Sequence, residues 1–113
     1  MTQGHSEKDR RSRRIPIPKV EVTVEVEGQE VEDLWVGSAI DINADGMALV
    51  LPRDLAVGSS LFLSFSPNED TTFQRVPAAV FRQDHAGGYA AVLFSEWDQN
   101  DRLSLLKFLA YQQ

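Results

Sequence analysis

The sequence predicts a mainly β protein, a six-stranded antiparallel barrel followed by one C-terminal α-helix. Six short segments alternate apolar and polar residues and are separated by turn residues, which is typical of strands that bury one face. The alternation ends after Trp97, where leucines recur at helical spacing. With 113 residues and 42% hydrophobic content, the chain can form one compact domain with a modest core.

The predicted strands follow one another at near-regular spacing, as expected for a small barrel. In the first strand, valines at every second position alternate with glutamate or threonine. In the second strand, Leu34, Val36 and Ile40 share one face. The segment 41–46 is rich in turn residues and separates the second strand from the third. The six strands are predicted over residues 20–27, 34–42, 47–51, 60–65, 73–83 and 89–94, within a barrel spanning 19–95.

A helix is predicted over residues 98–111, with Asp98 as its N-cap and a second carboxylate in its first turn. Its apolar face should pack against the barrel or over one barrel end. We expect this face to comprise Leu103, Leu106 and Ala110, widened by Leu105 and Leu109. We expect core packing for Trp35, Trp97 and Phe108.

The N-terminal region differs from the rest in charge. Residues 1–14 carry five Lys or Arg against two acidic residues, a net +3, whereas residues 15–113 carry six against fifteen, a net −9. An acidic body repels duplex DNA, so DNA binding along a broad face is disfavoured. We predict a disordered tail over 1–9 and a single domain over 10–113. Its first segment, 10–18, is predicted to be a flexible arginine-rich strap that Pro16 and Pro18 keep extended.

Composition excludes several other classes. The chain has no cysteine, which rules out disulfides and thiolate metal sites. No apolar run approaches the roughly 20 residues of a membrane span, and the N-terminus lacks a signal-peptide core, so we predict a cytoplasmic protein with no membrane insertion. Neither His5 nor His85 has a neighbouring nucleophile or carboxylate arrangement that specifies a catalytic triad. We therefore predict no enzymatic activity, no metal and no cofactor.

Two short motifs stand in a specific order. Arg10-x-x-x-Arg14 is followed about thirty residues later by Asp41-x-Asn43-x-x-Gly46 at a strand end, and then by the strand at 89–94 and a leucine-rich helix. This arrangement resembles the PilZ domain family, whose motifs are Arg-x-x-x-Arg and Asp/Asn-x-Ser-x-x-Gly on a six-stranded barrel followed by a helix. The resemblance covers residues 10 to about 111.

PilZ domains are cyclic di-GMP receptors, so the resemblance implies a role for each matching residue. Arg10 and Arg14 would contact the ligand phosphates and the guanine acceptor edge, where arginine binds O6 and N7 bidentately. Asp41 would accept from guanine N1 and N2, and Gly46 would keep the turn free of a side chain beside the ligand. Asn43 replaces the family serine, although its amide both donates and accepts.

Other residues near these motifs have less defined roles. Arg11, together with Arg13, would act as an auxiliary cation, and Arg82 would lie at the site margin or be an ordinary solvated residue. Asp45 would cost affinity if its carboxylate pointed inward. Asp9 stands where some relatives carry an arginine, which favours one cyclic di-GMP per chain.

The leading hypothesis is a stand-alone second-messenger receptor. Because no output domain follows the barrel in this sequence, the signal would pass to an unidentified downstream effector protein through ordering of the N-terminal segment. The receptor itself is predicted to be a monomer or weak dimer. Two alternatives remain open: a degenerate PilZ-type adaptor without ligand, and a small barrel that binds single-stranded RNA. The arginine run alone could be a solubilising tail, and residues 41–46 could form an ordinary polar turn with Gly46 at positive φ.

Overall fold

The computed structural model describes residues 14–17, 20–28, 34–84 and 88–111. Six strands close into an antiparallel barrel in the order β3-β2-β5-β6-β7-β4, with β4 pairing back to β3, and a short strand β1 adds to the edge of β3. The predicted mainly β barrel with a C-terminal helix is confirmed. The elements are β1 (Ile15–Pro16), β2 (Glu21–Val26), β3 (Trp35–Ile42), β4 (Gly46–Val50), β5 (Ser60–Asn68), β6 (Thr71–Asp84), β7 (Tyr89–Phe94) and α1 (Gln99–Tyr111).

Strand β1 attaches the arginine-rich segment to the barrel. It pairs antiparallel with the last two residues of β3, and the Ile17 amide donates to the carbonyl oxygen of Ile40 at 3.1 Å. Ile15 and Ile17 are both buried in the core. The described end of the predicted strap, residues 14–17, is therefore a fixed part of the barrel edge. The predicted tail and the rest of the strap lie outside the described residues.

Alternation along the strands fills the barrel interior. In β2, Val22 and Val24 are fully buried, as the period of two predicts. In β3 the buried residues are Trp35, Gly37, Ala39 and, beyond the bulge, Ile42, so the face shared by Leu34 and Val36 is the outer one. The large ring of Trp35 is buried in the interior, and burial of that ring outweighs burial of the smaller aliphatic side chains on the opposite face.

Helix α1 packs against β6 through only part of the predicted apolar face. Leu105 and Phe108 belong to the core, and Leu109 is partly buried beside it. By contrast, Leu103 and Leu106 are 52% and 41% exposed. Apolar residues occur around most of this helix, so spacing alone does not select the buried face. The observed buried face comprises Leu105, Phe108 and Leu109, which have i, i+3 and i+4 spacing. The aromatic ring of Phe108 buries more area than a leucine side chain does.

Candidate ligand-binding site

The turn between β3 and β4 is held by the side chain of Asn43. Asn43 Oδ1 accepts hydrogen bonds from the backbone amides of Asp45 at 2.8 Å and Gly46 at 2.9 Å, and the Asn43 amide donates to the Gly46 carbonyl at 3.0 Å. Asn43 is only 7% exposed. This is an Asx-type turn, in which the side chain replaces a backbone acceptor. Asn43 therefore shapes the site by fixing the turn.

Gly46 is required by a close approach of two strands. A Cβ atom at this position would lie 2.1 Å from the carbonyl oxygen of Val92 on β7, far inside van der Waals contact. Gly46 does not have a positive φ, so the alternative of an ordinary polar turn with Gly46 in the left-handed region is wrong in that detail. Any side chain here would push β4 away from β7. Strand packing therefore requires glycine at this position, whether or not a ligand binds.

Arg14 and Asp41 meet at the edge of β3 although 27 residues separate them. Arg14 Nη1 donates to Asp41 Oδ1 at 2.9 Å, with the two side chains 44% and 22% exposed. Burial of Ile15 fixes the chain next to Arg14, and β1 pairing sets Pro16 opposite Asp41. The structure thus brings one residue of each predicted motif into direct contact.

A shallow floor extends from Asp41 across four strands. Asp41 pairs with Ala48 on β4, Ala48 pairs with Ala91 on β7, and Ala91 pairs with Arg82 on β6. The two alanines have small side chains and form the middle of the row. A cavity of about 520 Å³ lies over it. Its lining residues are Ile40, Asp41, Ala48, Arg82, Gln83, Asp84, Tyr89, Ala90 and Ala91.

Two β-bulges flank this floor. The β3–β4 register shifts between Ala39 and Asp41, and the β6–β7 register shifts between Val80 and Arg82. A bulge inserts one extra residue and can place two consecutive side chains on the same face. Accordingly, both residues at each bulge are at least partly exposed: Ile40 and Asp41 in β3, and Phe81 and Arg82 in β6. The bulges therefore present Asp41 and Arg82 at the two ends of the row.

Sequence reasoning did not identify several residues of this cavity. Tyr89 is 48% exposed and lies two residues before Ala91 on the same strand face, so its ring borders the floor. The sequence predicts strands at Ala48 and Ala91 but no role in binding. A small residue at an outward strand position was the one available signal, but the bulges that align these strands leave no recognisable mark in the sequence.

The other predicted residues are placed as follows. Arg10, Arg11 and Arg13 lie outside the described residues, so their proximity to Asp41 stays a prediction. Asp45 is exposed, and its backbone carbonyl accepts from the Phe94 amide at 2.9 Å. Arg82 lies on the cavity wall.

The described residues contain no group of three or more His, Cys, Asp or Glu side chains positioned to hold a metal ion. No helix in this part of the chain is long and apolar enough to cross a membrane.

Comparison with solved structures finds the same barrel in other proteins. The PilZ domain of CeSA from a cellulose synthesizing bacterium superimposes with a TM-score of 0.64 at 16% identity, covering 84% of this chain and 92% of that one. The Bacillus subtilis inhibitor of motility, MotI/DgrA, gives a TM-score of 0.68 at 24% identity. The superposition covers 89% of this chain and 50% of the MotI/DgrA chain, so this chain spans about half the length of that protein. Both identities are low, so these similarities concern the fold.

Comparison with sequences gives the family. No curated protein sequence matches the chain significantly. The family model of the PilZ domain, however, matches residues 8–111, nearly the whole chain, and includes both arginine and aspartate motifs. This match agrees with the observed fold, a barrel closed by β3–β4 pairing and followed by a C-terminal helix. The chain belongs to the PilZ domain family.

Proposed function

We propose that this PilZ domain is a non-catalytic receptor for cyclic di-GMP that passes the signal to a partner protein. PilZ domains are generally cyclic di-GMP receptors and binding domains without catalytic activity. The observation that carries the proposal for this chain is the contact between Arg14 and Asp41 at the rim of a cavity floored by Ala48 and Ala91. It joins the two motifs at one surface large enough for a nucleotide.

The side chains match the chemistry of a guanine nucleotide. The Asp41 carboxylate only accepts hydrogen bonds, and guanine N1 and N2 are donors on one edge of the base. Arg14 is a planar donor suited to a phosphate or to guanine O6 and N7. Ala48 and Ala91 leave room for a flat ring to approach the sheet. In this proposal Arg10 and Arg11 contact the ligand from the segment before Arg14.

Ligand binding requires the Arg14–Asp41 ion pair to rearrange. In the structure each group satisfies the other, whereas the bound ligand would offer a donor edge to Asp41 and an anion to Arg14. An ion pair this exposed contributes roughly 0–1 kcal/mol. Breaking it therefore lowers ligand affinity by about fivefold at most. The pair also holds the two groups in position before the ligand arrives, which lowers the ordering cost of binding.

The proposed output is a change in the surface around β1. Ligand contacts from residues 10–14 would tie that segment to the barrel face, adding an ordered surface that a separate effector protein could recognise. One structural neighbour is an inhibitor of motility, which is compatible with action through a partner. We propose a cytoplasmic monomer or weak dimer that binds one cyclic di-GMP per chain.

Calorimetric titration of cyclic di-GMP into the purified protein tests this function, with GTP as the competing nucleotide. We expect saturable binding that the Arg14→Ala variant loses by roughly 10- to 100-fold, because a charge-assisted hydrogen bond is removed. Arg102→Ala, an exposed arginine on α1, is the matched control and should bind normally. A thermal-shift titration checks for binding with near-zero enthalpy. Absence of binding in both assays would refute the receptor function.

One observation favours a second candidate, a PilZ-type adaptor that binds only proteins. Asn43 replaces the family serine, and its Oδ1 already accepts two backbone hydrogen bonds. A side chain used to hold the turn has less capacity left for a ligand. The adaptor function predicts no cyclic di-GMP binding and a protein partner that is captured equally well by the Arg14→Ala variant. The same titration therefore separates the two candidates.

A further inference from the structure

Arg82 is presented outward by the bulge in β6. Val80 pairs with Val92 and Arg82 with Ala91, so Phe81 is the extra residue of the bulge. Phe81 and Arg82 are both exposed, whereas Val80 is 1% exposed. Without the bulge, alternation would direct one of the two inward. Bulges next to binding sites commonly reorient a side chain in this way.

The position of Arg82 relative to Asp41 is defined by the sheet. Asp41, Ala48, Ala91 and Arg82 form one cross-strand row over β3, β4, β7 and β6. Three strand spacings separate the two ends, which is roughly 14 Å between backbones. A carboxylate therefore stands at one end of the floor and a guanidinium at the other.

Arg82 has no competing partner within the described part of the chain. It forms no hydrogen bond or ion pair there, although Asp84 lies two residues away and lines the same cavity. It is also the one Lys or Arg among the described residues that line this cavity. A cation left without a partner beside a small-residue floor is available to an anionic ligand.

We infer that Arg82 is a phosphate-binding residue of this site and that the ligand lies across the four strands between Asp41 and Arg82. This inference rests on the proposed function. A guanine nucleotide has a donor edge at its base and a negative charge at its phosphate, which matches the carboxylate at one end and the guanidinium at the other. The orientation follows from these charges: a guanine lies against Asp41, and one of the two phosphodiester groups of cyclic di-GMP lies against Arg82.

The test compares cyclic di-GMP affinity in four proteins: the unchanged chain, Arg82→Gln, Arg82→Lys and Arg102→Gln. We expect Arg82→Gln to weaken binding roughly 10- to 100-fold, because a charge-assisted contact is lost. Arg82→Lys should recover most of the affinity, since lysine binds phosphate as a point charge but cannot form the planar fork needed for guanine. Arg102→Gln removes the same charge from α1 and should bind as the unchanged chain does.

The outcomes separate this inference from the function on which it rests. Thermal unfolding of each variant first confirms an unchanged fold. If the unchanged chain binds and Arg82→Gln binds equally well, Arg82 is not part of the site while the receptor function stands. If Arg82→Lys is as weak as Arg82→Gln, the phosphate assignment is wrong. If the unchanged chain does not bind, the receptor function fails and the role of Arg82 fails with it.

Discussion

Replacing Asn43 with alanine should destabilise the whole barrel. The change removes the Oδ1 acceptor of two backbone amides, those of Asp45 and Gly46. The Gly46 amide is buried, so leaving it without an acceptor costs about 1–3 kcal/mol. The Asp45 amide is only partly buried and can bond to water instead, so the loss of its acceptor costs about 0.5–1 kcal/mol. The expected loss is about 1.5–4 kcal/mol. For a domain of this size, that lowers Tm by about 4 °C per kcal/mol.

Equilibrium unfolding in urea measures this loss, and the chain contains a matched control. Asn68 Oδ1 accepts from the Asp70 amide at 2.9 Å in the same kind of turn, but on an exposed hairpin. Water can replace that acceptor, so Asn68→Ala should cost less than about 1 kcal/mol. Asn43→Ser, which restores the family residue, should fall between the two. If Asn43→Ala costs no more than Asn68→Ala, Asn43 does not hold the turn and our account of it is wrong.

Two other substitutions test the packing that positions the site. Gly46→Ala should destabilise the fold by about 1–3 kcal/mol, because its Cβ would overlap a carbonyl oxygen of β7, and calorimetric unfolding will measure the loss. An unchanged Tm would show that β4 and β7 are not in such close contact. Leu105→Ala should cost about 2–5 kcal/mol in urea unfolding, whereas Leu106→Ala on the exposed face of α1 should cost under about 1 kcal/mol. Equal losses would contradict the observed helix orientation.

The fold class was predictable because its signals are local. Alternation in β2 comes from pairs of neighbouring residues, and each turn is recognisable from its Gly, Asn, Asp or Pro content. The change to helical spacing after Trp97 is equally local. These patterns determine the type and order of the elements.

The orientation of two elements was predicted only in part: the core positions of Trp35 and Phe108 were expected, but alternation and spacing did not select the buried face. In β3 both faces carry apolar residues, and Trp35 rather than Leu34 or Val36 is buried. In α1 the buried face is centred on Phe108, although leucines on the other side have equally good spacing. When both faces of an element are apolar, the packing of large rings against the rest of the barrel decides which one is buried.

The sequence by itself determined the barrel, the helix and the two motifs that relate the chain to PilZ domains. Tertiary structure alone decided that Arg14 lies against Asp41, that Asn43 holds the turn and that Gly46 faces Val92. It also decided the floor from Asp41 to Arg82. The reason is that cross-strand register and bulges depend on pairing between segments distant in sequence, and no local pattern encodes which residues will be opposite one another.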